Sequence, residues 1–171
     1  MKSLELKSNE RQTVFAEIEA YLTRLNLSIV SHDFQRPWGG FFVIDEAQAK
    51  QFAELFFPGV EVSSLRISGK LSPKILIVEP GKRLSWQYHH RRAEIWRALS
   101  ATVGVVTSTT DEEEDTVILK PGQEIRLAQG QRHRLKGLED WGVLAEIWQH
   151  TDAQHPSDEN DIVRVQDDFG R

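Results

Sequence analysis

The run Gly81-Lys82-Arg83-Leu84-Ser85-Trp86-Gln87-Tyr88-His89-His90-Arg91-Arg92-Ala93-Glu94 places metal-binding types of side chain at strand spacing. Successive side chains of a β-strand point to opposite faces, so Gln87 and His89 point the same way. If that face lines the inside of a barrel, an amide oxygen and an imidazole enter one cavity side by side. Glu94 then returns on the next strand after a short turn. Downstream, Pro121-Gly122 opens a second stretch that ends in Gly130-Gln131-Arg132-His133, and His133 can supply a fourth ligand from a facing strand. The chain contains no cysteine, so a metal must be held by His, carboxylate or amide groups.

The surrounding pattern supports a barrel. Short apolar runs recur at Val62–Ser68, Lys74–Leu84, Glu94–Thr107, Thr116–Leu127, His133–Leu138 and Gly142–Gln149. Turn signals separate them, with Pro80-Gly81 and Pro121-Gly122 as a matching pair. Short strands between Gly and Pro turns argue for a β-sandwich or barrel and against βαβ units. The acidic stretch Asp111–Asp115 falls between two such runs and reads as a solvated hairpin tip. Upstream, Val14, Phe15, Ile18, Tyr21, Leu22 and Leu25 repeat with helical period, and Asn9 with Gln12 forms a capping pair. A second helix is expected from Asp45 to Phe57, stopped by Pro58-Gly59. Arg36-Pro37-Trp38-Gly39-Gly40 breaks the periodicity and leads into a strand at Phe41–Ile44. The polar segment Gln149–Asn160 reads as a loop, with His150 and His155 solvated.

Of the 171 residues, 39% are hydrophobic and 27% charged, and the net charge is -5. These values fit a soluble globular chain with a sizeable core. Net negative charge argues against nucleic acid or an anionic membrane as partner. No segment approaches the ~20 apolar residues of a membrane span, and the first residues have no apolar signal core, so a cytoplasmic location is expected.

Gln87-x-His89-x4-Glu94 has the spacing of the first motif of the cupins, with Gln in the first His place. Gly122 to His133 has the spacing of their second motif, with Ala128 in the usual Pro place. The wider string resembles the isomerase domain of the type II phosphomannose isomerases, often fused to a mannose-1-phosphate guanylyltransferase. The likeness extends to Arg36-Pro37-Trp38-Gly39, Leu119-Lys120-Pro121-Gly122, His133-Arg134-Leu135, Asp161-Ile162-Val163-Arg164 and Asp167-Asp168-Phe169-Gly170-Arg171. It covers residues 35–44 and 71–171.

That resemblance implies a mainly β fold, a cupin (double-stranded β-helix, or jelly-roll barrel) with N-terminal α-helices. The expected division is a helical extension at 1–34 and a cupin domain at 35–171. It implies one divalent metal, usually Zn, with Mn, Co, Ni or Fe as other choices, held by Gln87, His89, Glu94 and His133. It implies an aldose–ketose isomerase acting on mannose 6-phosphate through a cis-enediol, with Arg36, Lys74, Arg92 and Arg171 as substrate-binding cations. Arg92 also counts among the catalytic residues. His90, Glu146 and Lys74 are candidates for the base, and the sequence does not separate them. An unphosphorylated sugar such as lyxose or mannose is the alternative substrate, and the family suggests a homodimer. Two departures stand out: Arg91 replaces a third consecutive His, and Ile95 replaces a His after the motif Glu. The second removes a polar group from beside a ligand, and it motivates a further alternative, a non-catalytic metal- and sugar-binding cupin. Trp38, Trp86, Trp96, Trp141 and Trp148 read as barrel packing, one of them as a possible cavity wall.

Overall fold

Glu10, rather than Asn9, caps the first helix. In the structure, a computed structural model that describes residues 3–65 and 69–171, the Glu10 carboxylate accepts from the main-chain N–H groups of Gln12 and Thr13. Any side-chain oxygen that reaches the free N–H groups of a first turn can do this. Helix α1 (Arg11–Arg24) then buries Val14, Phe15, Ile18, Tyr21 and Leu22 along one face. The second helix is shorter than its apolar pattern: a 3-10 turn at Glu46–Gln48 precedes α2 (Ala49–Phe56). Val62–Ser64, read as the start of a strand, is another 3-10 turn. The rest of that apolar run, residues 66–68, lies outside the described residues.

Among the described residues, eleven strands follow an antiparallel plan in two sheets. They are β1 (Ile29–Arg36), β2 (Gly39–Ile44), β3 (Lys74–Val78), β4 (Trp86–Tyr88), β5 (Arg92–Ser100) and β6 (Val103–Ser108), then β7 (Val117–Leu119), β8 (Glu124–Leu127), β9 (Arg132–Gly137), β10 (Gly142–His150) and β11 (Val163–Gln166). The larger sheet runs β1-β2-β3-β10-β5-β8 and the smaller β11-β4-β9-β6-β7. Each apolar run that spans a Pro-Gly or Ala turn divides there, as in the pair β5 and β6 around Ala101. Two strands fall outside the sequence expectation, β1 and β11, and the side chains of both are exposed or half-buried. An edge strand with no buried face leaves no alternation to read.

The middle of the larger sheet, β3, β10 and β5, is buried on both faces. Ile75, Ile77, Ile95, Val143, Ala145 and Ile147 point outward, against α1 and α2, in one apolar cluster. Leu76, Val78, Trp96, Ala98 and Leu144 point inward and meet Val103, Val105 and Leu135 of the smaller sheet. The result is a two-sheet barrel with a helical layer on one side. No helix among the described residues is long and apolar enough to cross a membrane.

The hairpin β1–β2 presses its turn onto this barrel. Gly39 has φ of 148°, and a Cβ there would lie 1.9 Å from the carbonyl oxygen of Ile77. Gly39→Ala should therefore lower stability by at least about 1–3 kcal/mol from strain alone. Urea denaturation checks this, and a loss near zero would mean that the hairpin shifts freely.

Candidate metal centre

His89, Glu94 and His133 converge inside the barrel, each at most 2% exposed. Their ligand atoms all lie within 4.8 Å of one another. His89 directly follows β4, Glu94 sits on β5, and His133 sits on β9 opposite Gln87 of β4. The two Nε2 atoms are 3.3 Å apart. Nε2 of His89 is 3.1 Å from Glu94 Oε1, and Nε2 of His133 is 3.5 Å from Oε2.

Hydrogen bonding at Nδ1 favours one tautomer of each neutral ring. Nδ1 of His89 lies 2.7 Å from the Asp161 carbonyl, and Nδ1 of His133 lies 3.0 Å from the Gln131 carbonyl. A carbonyl only accepts, so in the neutral rings each Nδ1 carries the proton and each Nε2 offers a lone pair. Two lone pairs facing at this distance repel unless a cation or a proton lies between them. Burial pushes His133 down to about 4, against the opposing pull of Glu94, so a proton on that ring is disfavoured near neutrality. Burial alone would raise Glu94, but His89 and His133 in their protonated forms, together with the Arg92 guanidinium, hold its carboxyl well below the usual range. Its Oε2 is buried without a hydrogen bond. This buried His-Glu-His group is suited to a divalent ion. Gln87 lines the adjoining cavity, with Oε1 accepting from Ser85 Oγ at 2.6 Å.

That cavity, about 620 Å³ including its open mouth, is bounded by Glu94, Arg92, Lys74, Glu146, Trp96 and Trp148, with Arg36, Arg164 and Arg171 among its further walls. Arg92 donates from Nε to Glu94 Oε1 at 2.8 Å and places Nη2 3.3 Å from His89 Nε2. Its guanidinium also lies 3.6 Å over the Trp148 ring. Glu146 pairs in register with Lys74 on one side and Trp96 on the other. Both of its oxygens accept indole N–H bonds, from Trp96 at 2.7 Å and Trp148 at 2.8 Å. Burial, then the charge of Glu94, raises it to about 7 against the pull of Lys74. Burial lowers Lys74 to about 8, with Glu146 opposing, and its ammonium pairs with Glu159.

Arg36, Lys74, Gln87, Arg92, Glu94, Glu146 and Arg171 thus meet around one cavity. His90 does not: its ring is exposed and packs edge-on against Tyr88 at 5.4 Å. Ile95 lies on the opposite face of β5 from Glu94, inside the helix-side cluster. The replacement of His by Ile there changes packing under the helices and touches no ligand. His150, read as solvated, is fully buried, with Nδ1 accepting from Ser157 N and Nε2 3.0 Å from Ser72 Oγ. His155 is exposed. The acidic hairpin is also less free than its composition implies, because Glu113 pairs with buried Arg134 and Asp111 with Arg132. Sequence reading missed Glu159 and Arg164 as cavity residues. Arg164 stands in the quoted tail motif, whereas Glu159 lies in a polar run that carries no signal.

The neutral state of His133 has a consequence for stability. Its folded value, about 4, lies below the ordinary 6.5, so the unfolded chain binds the proton more readily. Metal-free protein should lose stability as pH falls from about 6.5 to about 4, by on the order of 3 kcal/mol from this group. Glu94 adds to the loss as pH falls further. Urea midpoints across this range, compared with those of His133→Gln, measure the slope; equal slopes would refute it.

Residues 45–167 match the family described as mannose-6-phosphate isomerase C-terminal. The xanthan biosynthesis protein XanB of Xanthomonas campestris is 31% identical over 136 residues, covering 80% of this chain and 23% of that protein. The alginate biosynthesis protein AlgA of Pseudomonas aeruginosa is 30% identical over 125 residues, covering 73% and 24%. The mannose-1-phosphate guanylyltransferase of Escherichia coli is 28% identical over 118 residues, covering 69% and 23%. The chain therefore spans about a quarter of the length of these relatives. Among solved structures, an oxalate decarboxylase of Bacillus subtilis superposes with a TM-score of 0.54 at 16% identity, covering 79% of this chain and 30% of that one. At that identity the likeness concerns the fold, which is that of the cupins. Sequence and fold together make the chain a member of the mannose-6-phosphate isomerase C-terminal family.

Proposed function

We propose that the chain is a metal-dependent aldose–ketose isomerase acting on mannose 6-phosphate or a closely similar sugar phosphate. The observation that carries this reading is that Glu94, one member of the His89–Glu94–His133 group, lines a cavity that also holds Gln87 and, on adjacent strands, Glu146 and Lys74. Facing imidazole lone pairs and an orphaned carboxylate oxygen fit a divalent ion. His89, Glu94 and His133 would hold it with Gln87 as a fourth ligand, Zn being the first choice among Zn, Mn, Co, Ni and Fe. When bound, the ion supplies Lewis-acid polarisation of the sugar oxygens.

The protein's own residues account for the proton. Isomerisation moves it between C1 and C2 through a cis-enediol, so one group must take it and give it back. Glu146, at about 7, is divided between its two forms near neutrality, as such a group requires. The indoles of Trp96 and Trp148 keep its carboxylate in one orientation. Lys74, opposite it, can donate to a sugar oxygen. His90 is set aside as the base because its ring is outside the cavity.

Arg36, Arg164 and Arg171 supply fork-shaped donors suited to a phosphate. Arg36 pairs with Asp33 and Arg171 with Asp167, while Arg164 has no side-chain hydrogen bond or ion pair among the described residues. This favours the phosphorylated over the unphosphorylated sugar. The non-catalytic reading loses its motive, because Ile95 faces away from the cavity.

The test is metal analysis of protein loaded in turn with Zn, Mn, Co and Ni, with assays on mannose 6-phosphate, mannose and lyxose. Stoichiometric metal and turnover of the phosphorylated sugar are expected. Glu146→Gln should lower kcat by about 10²–10⁴-fold with metal content unchanged. Arg164→Ala should raise KM for mannose 6-phosphate and leave that for mannose alone. Full metal loading without turnover of any sugar would sink the proposal.

A further inference from the structure

Asp161 lies in an irregular segment, residues 151–162, yet it is only 4% exposed. Its contacts run to four consecutive residues. Oδ1 accepts from the main-chain N–H of His90 at 3.0 Å and Oδ2 from that of Arg91 at 2.9 Å. Oδ2 also accepts from Ser157 Oγ at 2.6 Å. The main-chain carbonyl of the same residue accepts from His89 Nδ1 at 2.7 Å and lies 3.5 Å from Arg92 Nη1. Residues 89–92 form the turn that carries the chain from His89 on one sheet to Glu94 on the other.

The carbonyls of that turn are satisfied from elsewhere. Gly130 N donates to His89 O, Gln129 Nε2 to His90 O and Thr151 N to Arg91 O. Its N–H groups at 90 and 91 depend on the Asp161 carboxylate. That carboxylate therefore anchors Asp161's own backbone, and with it the carbonyl offered to His89. Side chain and main chain of one residue act in series: the first fixes where the second points.

We propose that Asp161 is a positioning residue of the metal centre, clamping the β4–β5 turn and holding His89 in the tautomer that presents Nε2. The proposal rests on the reading of His89, Glu94 and His133 as metal ligands. A partner that sets the tautomer and angle of a ligating imidazole raises affinity without touching the ion.

Two readouts test it on the full chain with Asp161→Ala and the near-isosteric Asp161→Asn. The first is the ¹⁵N shift pair of His89 in metal-free protein. Wild type should show a protonated Nδ1 and a bare Nε2, and the variants a mixture of tautomers. The second is the Zn(II) dissociation constant by competition with a chromogenic chelator, expected to weaken by about 10–100-fold in Asp161→Ala and less in Asp161→Asn. Ser157→Ala, which removes one donor to the carboxylate and leaves the carbonyl in place, should keep the wild-type tautomer. If Asp161→Ala does not fold, Asp161→Asn carries both measurements. An unchanged tautomer with affinity within about twofold of wild type in a folded variant would overturn the assignment, since a purely structural role could still lower melting temperature. Wild-type protein that fails to bind Zn(II) defeats the metal reading, and the metal-free tautomer comparison still decides the role of Asp161.

Discussion

Two imidazole nitrogens with their lone pairs turned toward each other, 3.3 Å apart and beside a carboxylate, make an arrangement that a chain left to itself would relax. It is held because each ring is fixed at its far side by a carbonyl, and because two strands and the turn after β4 deliver the three residues from different directions. Much of the remaining architecture can be understood as that restraint. The β4–β9 pairing sets Gln87 opposite His133, the β4–β5 turn separates His89 from Glu94, and the loop at 151–162 closes against the turn. An ion between the rings would turn a local repulsion into a cross-link between the sheets.

The surrounding charges add to the constraint. Lys74, Arg92, Glu94 and Glu146 are each 5% exposed or less. Removing charges from water is expensive, and mutual attraction repays that cost only where geometry is good. Here the indoles of Trp96 and Trp148 satisfy Glu146, and Arg92 is shared among Glu94, Ser157 and the Asp158 carbonyl. The site is therefore oriented before any ligand arrives, which is the arrangement that electrostatic catalysis favours.

How legible all this was in the sequence depended on regular structure. Gln87, His89, Glu94 and His133 could be brought together on paper because strand alternation and motif spacing are periodic. Lys74, Arg92 and Glu146 lie on strands as well, and their inward direction follows from the same rule. Asp161 and Glu159 could not be placed, since an irregular loop has no period from which to infer a direction. β1 escaped notice for the opposite reason: it is regular, but neither face is buried, so its composition alternates with nothing. His150 looked solvated among Thr151, Asp152 and Gln154, because polar neighbours conceal a residue that is the last of a buried strand. For Ile95 the family comparison invited a functional reading, and only the pleat showed that the position belongs to the other side of the sheet.

In β3, β5 and β10 the faces of the large sheet fall out by parity. Positions 74, 76, 92, 94, 96, 144, 146 and 148 serve the barrel interior, and 75, 77, 95, 143, 145 and 147 serve the helical layer. The odd residues of these strands thus pack under the helices, while the even ones divide between packing against the smaller sheet and lining the cavity. A substitution that trades one aliphatic shape for another at an odd position therefore meets the helices and not the cavity. A change at an even position likewise leaves the docking of the helices untouched. The double cladding of one sheet separates two tasks by nothing more than the parity of the residue number.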